Sequence, residues 1–260
     1  MKDKTVIITG TSGGLGKAMV LLAAKKKMKI ILSDINPSPS EKLAGDINQN
    51  GGRAIFVRAD LARPEERGSI IDTGMRQYGR IDYLFNNAGY IYFAKVEDLE
   101  LDKAHRLFEV NFWAYADLAI KTVPIMKKQG GGAIINICSL CGLGMAESFN
   151  FGIYKASKHA VAGLFESMSF ELKKYNISVK IMCPSVINTD ILSNSVGPEK
   201  VAVSALPAKA WGVVISPEDA AEEIFNNLNK RKTVIRISGK NRLYRCLFCR
   251  RRNGKGNDGS

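Results

Sequence analysis

The sequence alternates short apolar runs with longer amphipathic stretches, and this alternation limits the folds that the chain can adopt. The runs that we predict to be strands are Thr5–Thr9, Ile30–Ser33, Ala54–Ala59, Tyr83–Asn86, Ala133–Cys138, Ser178–Met182 and Thr233–Ile237. They lack apolar–polar alternation, so both faces are expected to be buried. The predicted helices are Leu15–Lys26, Ser40–Gln49, Pro64–Tyr78, Leu101–Lys128, Tyr154–Tyr175 and Pro217–Asn229. This order predicts an α/β protein, a doubly wound parallel sheet of about seven strands with helices on both faces.

A single large domain accounts for most of the chain. Its 260 residues, 45% of them hydrophobic, are enough for one core. We predict a domain over residues 1–238 and a partly disordered basic tail over residues 239–260. No apolar run reaches the ~18–20 residues that span a bilayer, and a strand begins too close to Met1 for a signal peptide. We therefore expect a cytoplasmic protein, with peripheral membrane contact as an option.

The cysteines favour reduced thiols over a metal centre. There are five, Cys138, Cys141, Cys183, Cys246 and Cys249, an odd number in a chain without an export signal. They form two C-x-x-C pairs about 100 positions apart, whereas zinc ligands must converge in space. Cys138 ends a predicted buried strand, where it behaves as a small apolar residue. We expect no metal site.

The formal net charge of +13 is concentrated near the end of the sequence. Residues 230–260 carry +10, which leaves +3 for residues 1–229, so the domain is nearly balanced by count. The basic run from Lys25 to Lys29 suits a helix C-terminus and is assigned no function. The tail mixes Arg with Leu, Tyr and Phe, which suits an anionic membrane surface, and Cys246 and Cys249 are candidates for acylation. A packed turn with a solvated end is the alternative, and nucleic-acid binding is not favoured.

A glycine-rich turn joins the first predicted strand to the first predicted helix. It lets the backbone approach a pyrophosphate at the positive end of a helix, and its candidate contacts are Gly10, Ser12, Gly14, Leu15 and Gly16. Asp34 ends the next strand, where a carboxylate accepts from both ribose hydroxyls and repels a 2′-phosphate. This pattern favours NAD, with NADP as the alternative. Asp34 also has a plain interpretation, as a solvated acid before the Asn36-Pro37 turn.

Two further segments follow strands at the same sheet edge. Asp60 and Leu61 follow the third strand, where the carboxylate either meets an adenine amino group or caps the helix at Pro64. Asn87, Ala88 and Gly89 follow the fourth strand and either leave room for the adenosine side of a cofactor or form a plain turn.

Tyr154 and Lys158 lie one helical turn apart and therefore share a face. A free tyrosine has a pKa near 10, and a nearby ammonium lowers that pKa by favouring the phenolate. Tyr154 would donate a proton to a carbonyl during reduction, or take one from an alcohol during oxidation. Lys158 would also hold the nicotinamide ribose.

Taken together, the motifs resemble the short-chain dehydrogenase/reductase family over about residues 4–237. The matching residues are Thr9-Gly10-x-x-x-Gly14-x-Gly16, Asn86-Asn87-Ala88-Gly89, Asn111, Ser139, Tyr154-x-x-x-Lys158 and Pro184-x-x-x-x-Thr189. The resemblance implies that Ser139 bonds the substrate oxygen, Tyr154 transfers the proton, Lys158 lowers the tyrosine pKa and binds ribose, and Asn111 holds a relay water. It places Pro184, Ile187 and Thr189 at the nicotinamide. It also implies a homodimer or homotetramer that pairs through the Tyr/Lys helix and its neighbour.

The sequence departs from the family pattern at two places near the predicted site. Ser185 stands where a glycine usually follows the proline, which changes the packing beside the nicotinamide. Ser139 precedes Tyr154 by fifteen positions, slightly more than usual, so the loop between them is long and the pose of Ser139 is open.

Three segments are expected to line the substrate pocket: Tyr90–Phe93, Leu143–Phe151 and Val186–Trp211. Most of their large side chains are apolar: Tyr90, Tyr92, Phe93, Met145, Phe149, Phe151, Ile191, Leu192, Val196, Leu206 and Trp211. Glu147 and Lys209 are the charged exceptions. We predict an oxidoreductase acting on an apolar or lipid-like ketone or secondary alcohol. The alternatives are a non-catalytic dinucleotide sensor and an adaptor that binds membranes through the tail.

Overall fold

The computed structural model describes residues 1–144, 150–189, 191, 195–198 and 214–238. Within them, seven strands form one parallel sheet. Their bounds are Thr5–Thr9 (β1), Lys29–Asp34 (β2), Arg53–Arg58 (β3), Tyr83–Asn86 (β4), Gly132–Ile137 (β5), Ile177–Pro184 (β6) and Val234–Ile237 (β7). The strand order is β3-β2-β1-β4-β5-β6-β7. The order reverses between β1 and β4, so the connections open a crevice at the carboxyl edge of the sheet.

Helices cover both faces of this sheet. They are Gly14–Lys25 (α1), Pro37–Gln49 (α2), Pro64–Tyr78 (α3), Leu101–Phe108 (α4), Ala114–Lys128 (α5), Gly152–Leu172 (α6) and Pro217–Asn226 (α7). α1, α2 and α7 pack on one face, where Met19, Ile47 and Phe225 join the core. α3, α5 and α6 pack on the other face, where Ile70, Leu118 and Phe165 are buried. The predicted doubly wound α/β architecture is confirmed.

Of the predicted helices, only Pro64–Tyr78 has its observed bounds, and two of the differences are informative. α2 begins at Pro37 rather than Ser40, because proline is tolerated in the first turn of a helix. The predicted helix Leu101–Lys128 contains a π-helical turn over Glu109–Trp113. Such a turn adds a residue to one helical turn and is frequent at functional sites. Here it carries the fully buried Asn111.

The described helices include none that is both long and apolar enough to cross a membrane.

Candidate active site

A cleft of about 1430 Å³ opens along the carboxyl edge of the sheet. Every candidate catalytic and cofactor-binding residue named from the sequence lines it except Asn111, which is buried behind it. The cofactor candidates on this lining are Gly10, Ser12, Gly14, Leu15, Gly16, Asp34, Asp60, Leu61, Asn87, Ala88, Gly89, Pro184, Ile187 and Thr189. The fold thus brings together residues that are more than a hundred positions apart in the chain.

The glycine turn needs its glycines for close backbone contacts. A Cβ atom on Gly16 would lie 1.8 Å from the carbonyl oxygen of Gly10, and one on Gly10 would lie 2.7 Å from the Cα atom of Ala88. Gly10 also has a φ of +72°, which side-chain-bearing residues rarely adopt. α1 begins after Gly13, where no side chain caps the helix. Its first N–H groups therefore point toward the cleft without a side-chain acceptor.

Asp34 ties the end of β2 to this turn. One carboxylate oxygen accepts from the backbone N–H of Ser12 at 2.9 Å, and the other accepts from that of Asn36 at 2.9 Å. The bond to Asn36 matches the plain interpretation of Asp34 as a turn residue. The bond to Ser12 goes beyond it, because it fixes the carboxylate against the glycine turn at the wall of the cleft.

Asp60 is held by Arg106, a residue for which the sequence predicted no role. Its carboxylate accepts from Arg106 at 2.9 Å and from the N–H of Ala62 at 3.0 Å. Burial opposes ionisation, yet these bonds and the charges of Arg106 and Arg63 lower the pKa of Asp60 overall. The helix cap expected at Pro64 is absent, since the residue before it is Arg63 and no side chain caps that end. Asp60 is thus an ionised group at the adenine-side end of the predicted site.

Asn87 supports the glycine turn from the opposite side. Its amide nitrogen donates to the carbonyl oxygens of Thr9 at 2.9 Å and Gly10 at 3.1 Å. The Thr9 hydroxyl in turn accepts from the N–H groups of Asn87 and Ala88, at 3.0 and 3.1 Å. Thr9 was predicted as the last residue of a strand and as the start of the glycine motif, but no role was predicted for its hydroxyl.

Ser139 and Tyr154 meet at the centre of the cleft. The Ser139 hydroxyl accepts from the backbone N–H of Cys141 at 3.2 Å, and the side chain also interacts with the phenol of Tyr154, which defines the pose that the loop length had left open. Burial raises the pKa of Tyr154 well above its usual value, and the bond from Ser139 offsets only part of this shift. Tyr154 is 7% exposed. The expected lowering of the tyrosine pKa is therefore wrong for this structure, because desolvation outweighs the neighbouring charge.

Lys158 lies deeper than Tyr154 on the same face of α6. Its ammonium donates to the carbonyl oxygen of Ile137 at 3.0 Å and lies 5.9 Å from the centre of the Tyr154 ring. It also lies 5.2 Å from the ring centre of Tyr115. Burial lowers the pKa of Lys158, since no carboxylate is among its partners. The side chain is thus a desolvated cation held behind the phenol.

Asn111 connects the π-helical turn to the loop after β4. Its carboxamide exchanges two hydrogen bonds with the backbone of Tyr90, at 3.1 and 3.0 Å. The nitrogen also reaches the hydroxyl of Ser157 at 3.4 Å, and that hydroxyl donates to the carbonyl oxygen of Tyr154 at 2.7 Å. Ser157 was missed, although it lies inside the Tyr-Lys-Ala-Ser-Lys motif.

Three thiols lie near Tyr154 and Lys158. Cys138, Cys141 and Cys183 are free and buried. Cys138 and Cys183 share a side-chain hydrogen bond that lowers the pKa of Cys138 and raises that of Cys183. Cys138 also contacts the carbonyl oxygen of Lys158 at 3.2 Å. The C-x-x-C pair of Cys138 and Cys141 thus serves as buried packing near the site.

The substrate side of the cleft is apolar, but two predicted lining residues are not part of it. Tyr92 and Phe93 are fully buried and lie in a small cluster behind the wall. The Tyr92 hydroxyl accepts from the N–H of Glu100, and Phe93 packs edge-on against Phe151 at 4.3 Å. Residues that do line this side are Tyr90, Ile91, Leu140, Phe151, Val186, Ile191 and Val196. The candidates Met145, Glu147, Phe149, Leu192, Leu206, Lys209 and Trp211 lie outside the described residues.

Comparisons with known proteins agree with this geometry. The family model for short chain dehydrogenases matches residues 4–200. The chain is 32% identical over 199 residues to the 7alpha-hydroxysteroid dehydrogenase of Escherichia coli K12, covering 76% of this chain and 77% of that protein. It is 29% identical over 223 residues to the cyclohexanol dehydrogenase of an Acinetobacter strain, covering 85% of this chain and 86% of that protein.

A solved structure extends the comparison to the whole domain. A short chain dehydrogenase/reductase from Burkholderia phymatum, crystallised in complex with NAD, superposes with a TM-score of 0.80 at 25% identity, covering 91% of this chain and 89% of that chain. Fold and site define a nucleotide-binding oxidoreductase that interconverts alcohols and ketones. The chain belongs to the short-chain dehydrogenase/reductase family.

Proposed function

We propose that this enzyme uses NAD(H) to interconvert an apolar ketone and its secondary alcohol, with Tyr154 as the general acid and base. One observation carries the proposal. The side chains of Ser139 and Tyr154 interact with each other in a cleft whose opposite end holds the glycine turn and Asp34. A carbonyl oxygen beside both hydroxyls would receive two hydrogen bonds and a proton.

The residues at the other end of the cleft fit a dinucleotide. Gly10 and Gly16 keep the turn close to the sheet, and the uncapped start of α1 offers N–H donors to a pyrophosphate. Asp34 lies fixed against this turn, where its charge favours ribose hydroxyls over a 2′-phosphate. A bound nicotinamide would supply or accept the hydride. The complex of the Burkholderia relative with NAD supports the same choice of cofactor.

The raised pKa of the Tyr154 phenol determines what each residue would do in the proton transfer. Because burial keeps the phenol protonated, Tyr154 is ready to donate its proton when a carbonyl is reduced. In the oxidative direction the phenol must first release this proton. Lys158 would stabilise the resulting phenolate and bind ribose, and Asn111 would hold a water that links Lys158 to solvent. Ser139 would orient the substrate oxygen.

The lining of the cleft supports an apolar substrate. Ile91, Leu140, Phe151, Val186 and Val196 lie around the Ser139–Tyr154 pair. The named activities of two relatives, on a hydroxysteroid and on cyclohexanol, are of the same chemical kind.

The test is NADH oxidation across a panel of steroid, cyclic, acyl and sugar carbonyls, with NADPH in parallel. We expect turnover with NADH and apolar ketones, and loss of at least a thousandfold in Tyr154→Phe with NADH binding retained. Faster turnover of sugars would contradict the substrate class. Turnover by Tyr154→Phe equal to wild type would contradict the role of the phenol. A preference for NADPH would contradict the role of Asp34.

We also propose that the enzyme is a homodimer or homotetramer. Apolar side chains are exposed on the helix that carries the Tyr/Lys motif and on its neighbour: Phe170 is 77%, Ile120 64% and Trp113 51% exposed. Burying them in a symmetric contact would remove this apolar surface from water. Light scattering should show an oligomer that Phe170→Glu with Ile120→Glu converts to a monomer. Membrane contact through the tail stays a proposal, because residues 239–260 lie outside the described residues.

A further inference from the structure

The edge of the sheet opposite the cleft collects most of the positive charge of the domain. Because every strand is parallel, the amino ends of all seven strands lie along this one edge. The segments that lead into the strands are residues 1–4, 25–29, 49–53, 76–82, 127–132, 173–177 and 227–233. They contain sixteen basic residues and two acidic ones, Asp3 and Asp82. We call this surface the basic face.

The basic face consists mostly of lysine. Its members are Lys2, Lys4, Lys25, Lys26, Lys27, Lys29, Arg53, Arg76, Arg80, Lys127, Lys128, Lys173, Lys174, Lys230, Arg231 and Lys232. All of them are at least partly exposed. The two acids compensate little of this charge, because Asp3 pairs with Arg53 and Asp82 pairs with Lys4 and Arg80.

Observed contacts show that these segments meet at one surface. The ammonium of Lys29 lies 5.5 Å from the ring centre of Tyr78, and that of Lys127 lies 3.9 Å from the ring centre of Tyr175. Lys127 and Lys174 lower the pKa of the Tyr175 phenol through their charges, which reports a positive potential at the face. Lys180, 4% exposed, adds a buried cation that donates to the carbonyl oxygens of Lys230 and Lys232.

Helix dipoles explain only part of this arrangement. Cations stabilise the last turn of a helix, which accounts for Lys25, Arg76 and Lys128. Lys2, Lys4 and Arg231 lie outside helices, where the dipole gives no such benefit. The opposite edge behaves differently. Its described connections, with Asp34 included, carry five acids and the two cations Arg63 and Lys95. Gathering like charges on one face costs repulsion, so an external polyanion is the natural compensation.

We propose that the basic face is a docking surface for an anionic lipid bilayer. It is broad, since seven strand ends about 4.8 Å apart span about 30 Å. Twelve of its sixteen cations are lysines, which act as point charges, whereas phosphate recognition in nucleic acids favours the bidentate fork of arginine. The face offers little for base stacking, because Lys127 covers the ring of Tyr175. Of the sixteen cations of the face, Lys230 and Lys232 also line the cleft, whereas the glycine turn and Tyr154 lie at the far edge of the sheet.

The experiment is flotation of the full-length protein with two kinds of vesicle, phosphatidylcholine alone and phosphatidylcholine with one third phosphatidylserine. Lys128→Glu with Lys173→Glu reverses two charges on the face. The matched control, Lys17→Glu with Lys42→Glu, makes the same net change on α1 and α2 away from the face. A third variant reverses the charges of Arg250, Arg251 and Arg252 in the tail by replacing each with glutamate. NADH oxidation by each variant, without vesicles, reports folding independently of binding.

We expect wild-type protein to float with anionic vesicles at 0.1 M salt, to detach at 0.5 M, and to ignore neutral vesicles. The face variant should bind at least about tenfold more weakly than the matched control, since each cation near the surface contributes severalfold in affinity. Equal binding by face variant and control overturns the proposal. So does loss of binding in the tail variant alone, or displacement of the protein from vesicles by stoichiometric RNA.

Discussion

Replacing Arg67 by methionine is expected to destabilise the protein by about 3 kcal/mol. Arg67 lies on α3, is 3% exposed, and connects two parts of the site that are distant in the chain. Its guanidinium donates to the carbonyl oxygen of Leu61, on the cleft wall, at 2.9 Å. It also donates to the carboxylate of Glu109, the first residue of the π-helical turn, at 2.6 Å.

The magnitude follows from these two bonds. A hydrogen bond to a charged group contributes about 1.5–3 kcal/mol. The Glu109 side chain is 36% exposed, so water can solvate it again after the substitution, and its bond belongs at the low end of that range. Asp117 also loses the guanidinium that lies 3.9 Å from its buried Oδ2, an oxygen without a hydrogen-bond partner, while Lys121 still pairs with its other oxygen. Methionine preserves most of the apolar stem, which keeps the expected loss near 3 kcal/mol.

The assay is equilibrium unfolding in urea at pH 7. The control is Arg76→Met, on the exposed side of the same helix, for which we expect a change below about 0.5 kcal/mol. NADH affinity should fall with Arg67→Met only, because Leu61 and the π-helical turn lose their common anchor. A difference between the two variants smaller than about 1 kcal/mol would refute the reasoning from this network.

Three other outcomes follow from the structure. Gly16→Ala should weaken NADH binding at least about tenfold in a fluorescence titration. The control is Gly45→Ala, whose new methyl meets no atom within 4 Å and should leave NADH binding unchanged. Equal NADH affinities of the two variants would contradict the role of the glycine turn in binding the cofactor. Because burial raises the pKa of Tyr154, alcohol oxidation should accelerate from neutral into alkaline pH while ketone reduction stays level near neutrality; a rate of oxidation independent of pH would contradict this. Burial opposes ionisation of Asp82, but bonds from Arg80, the Thr5 N–H and Lys4 lower its pKa overall. Ionised Asp82 therefore stabilises the folded protein fully above the unfolded-state pKa of about 4, and this contribution is lost on further acidification. The stability gap between wild type and Asp82→Asn, measured in urea, should therefore narrow from pH 7 to pH 3, and a constant gap would be inconsistent with it.

The sheet was predictable from the sequence because its strands are buried on both faces. Runs such as Val6–Ile8 and Ile30–Leu32 are unbroken by polar residues, and all seven predicted strands begin and end within two residues of the observed bounds. The helix ends were predicted less well. The π-helical turn keeps an apolar pattern that resembles that of an ordinary helix, so its extra residue at Asn111 left no signal.

The chemistry of the site was predictable only where it depended on spacing. Tyr154 and Lys158 share a helix, so their proximity followed from the sequence, but the pKa direction of Tyr154 depends on burial, which spacing does not reveal. Tyr92 and Phe93 were expected at the pocket because they are large and apolar. They are buried in a core cluster with Leu107 and Phe151 instead, and the size and apolar character of the two side chains do not reveal these contacts.

The charge distribution was hidden for a topological reason. By count, residues 1–229 carry only +3, and this near balance concealed a strongly asymmetric surface. The basic residues are scattered over seven segments, and only the parallel order of the strands brings those segments to one edge. Composition reports the sum of the charges, whereas the fold determines where they meet.

Transfer of deuterium from C4-deuterated NADH to an apolar ketone tests the central claim most directly. Mass spectrometry of the product alcohol should show one deuterium on the carbinol carbon with the wild-type enzyme, and no product with Tyr154→Phe, although that variant still binds NADH. Product without deuterium, or equal labelled product from both proteins, would contradict hydride transfer assisted by the Tyr154 proton.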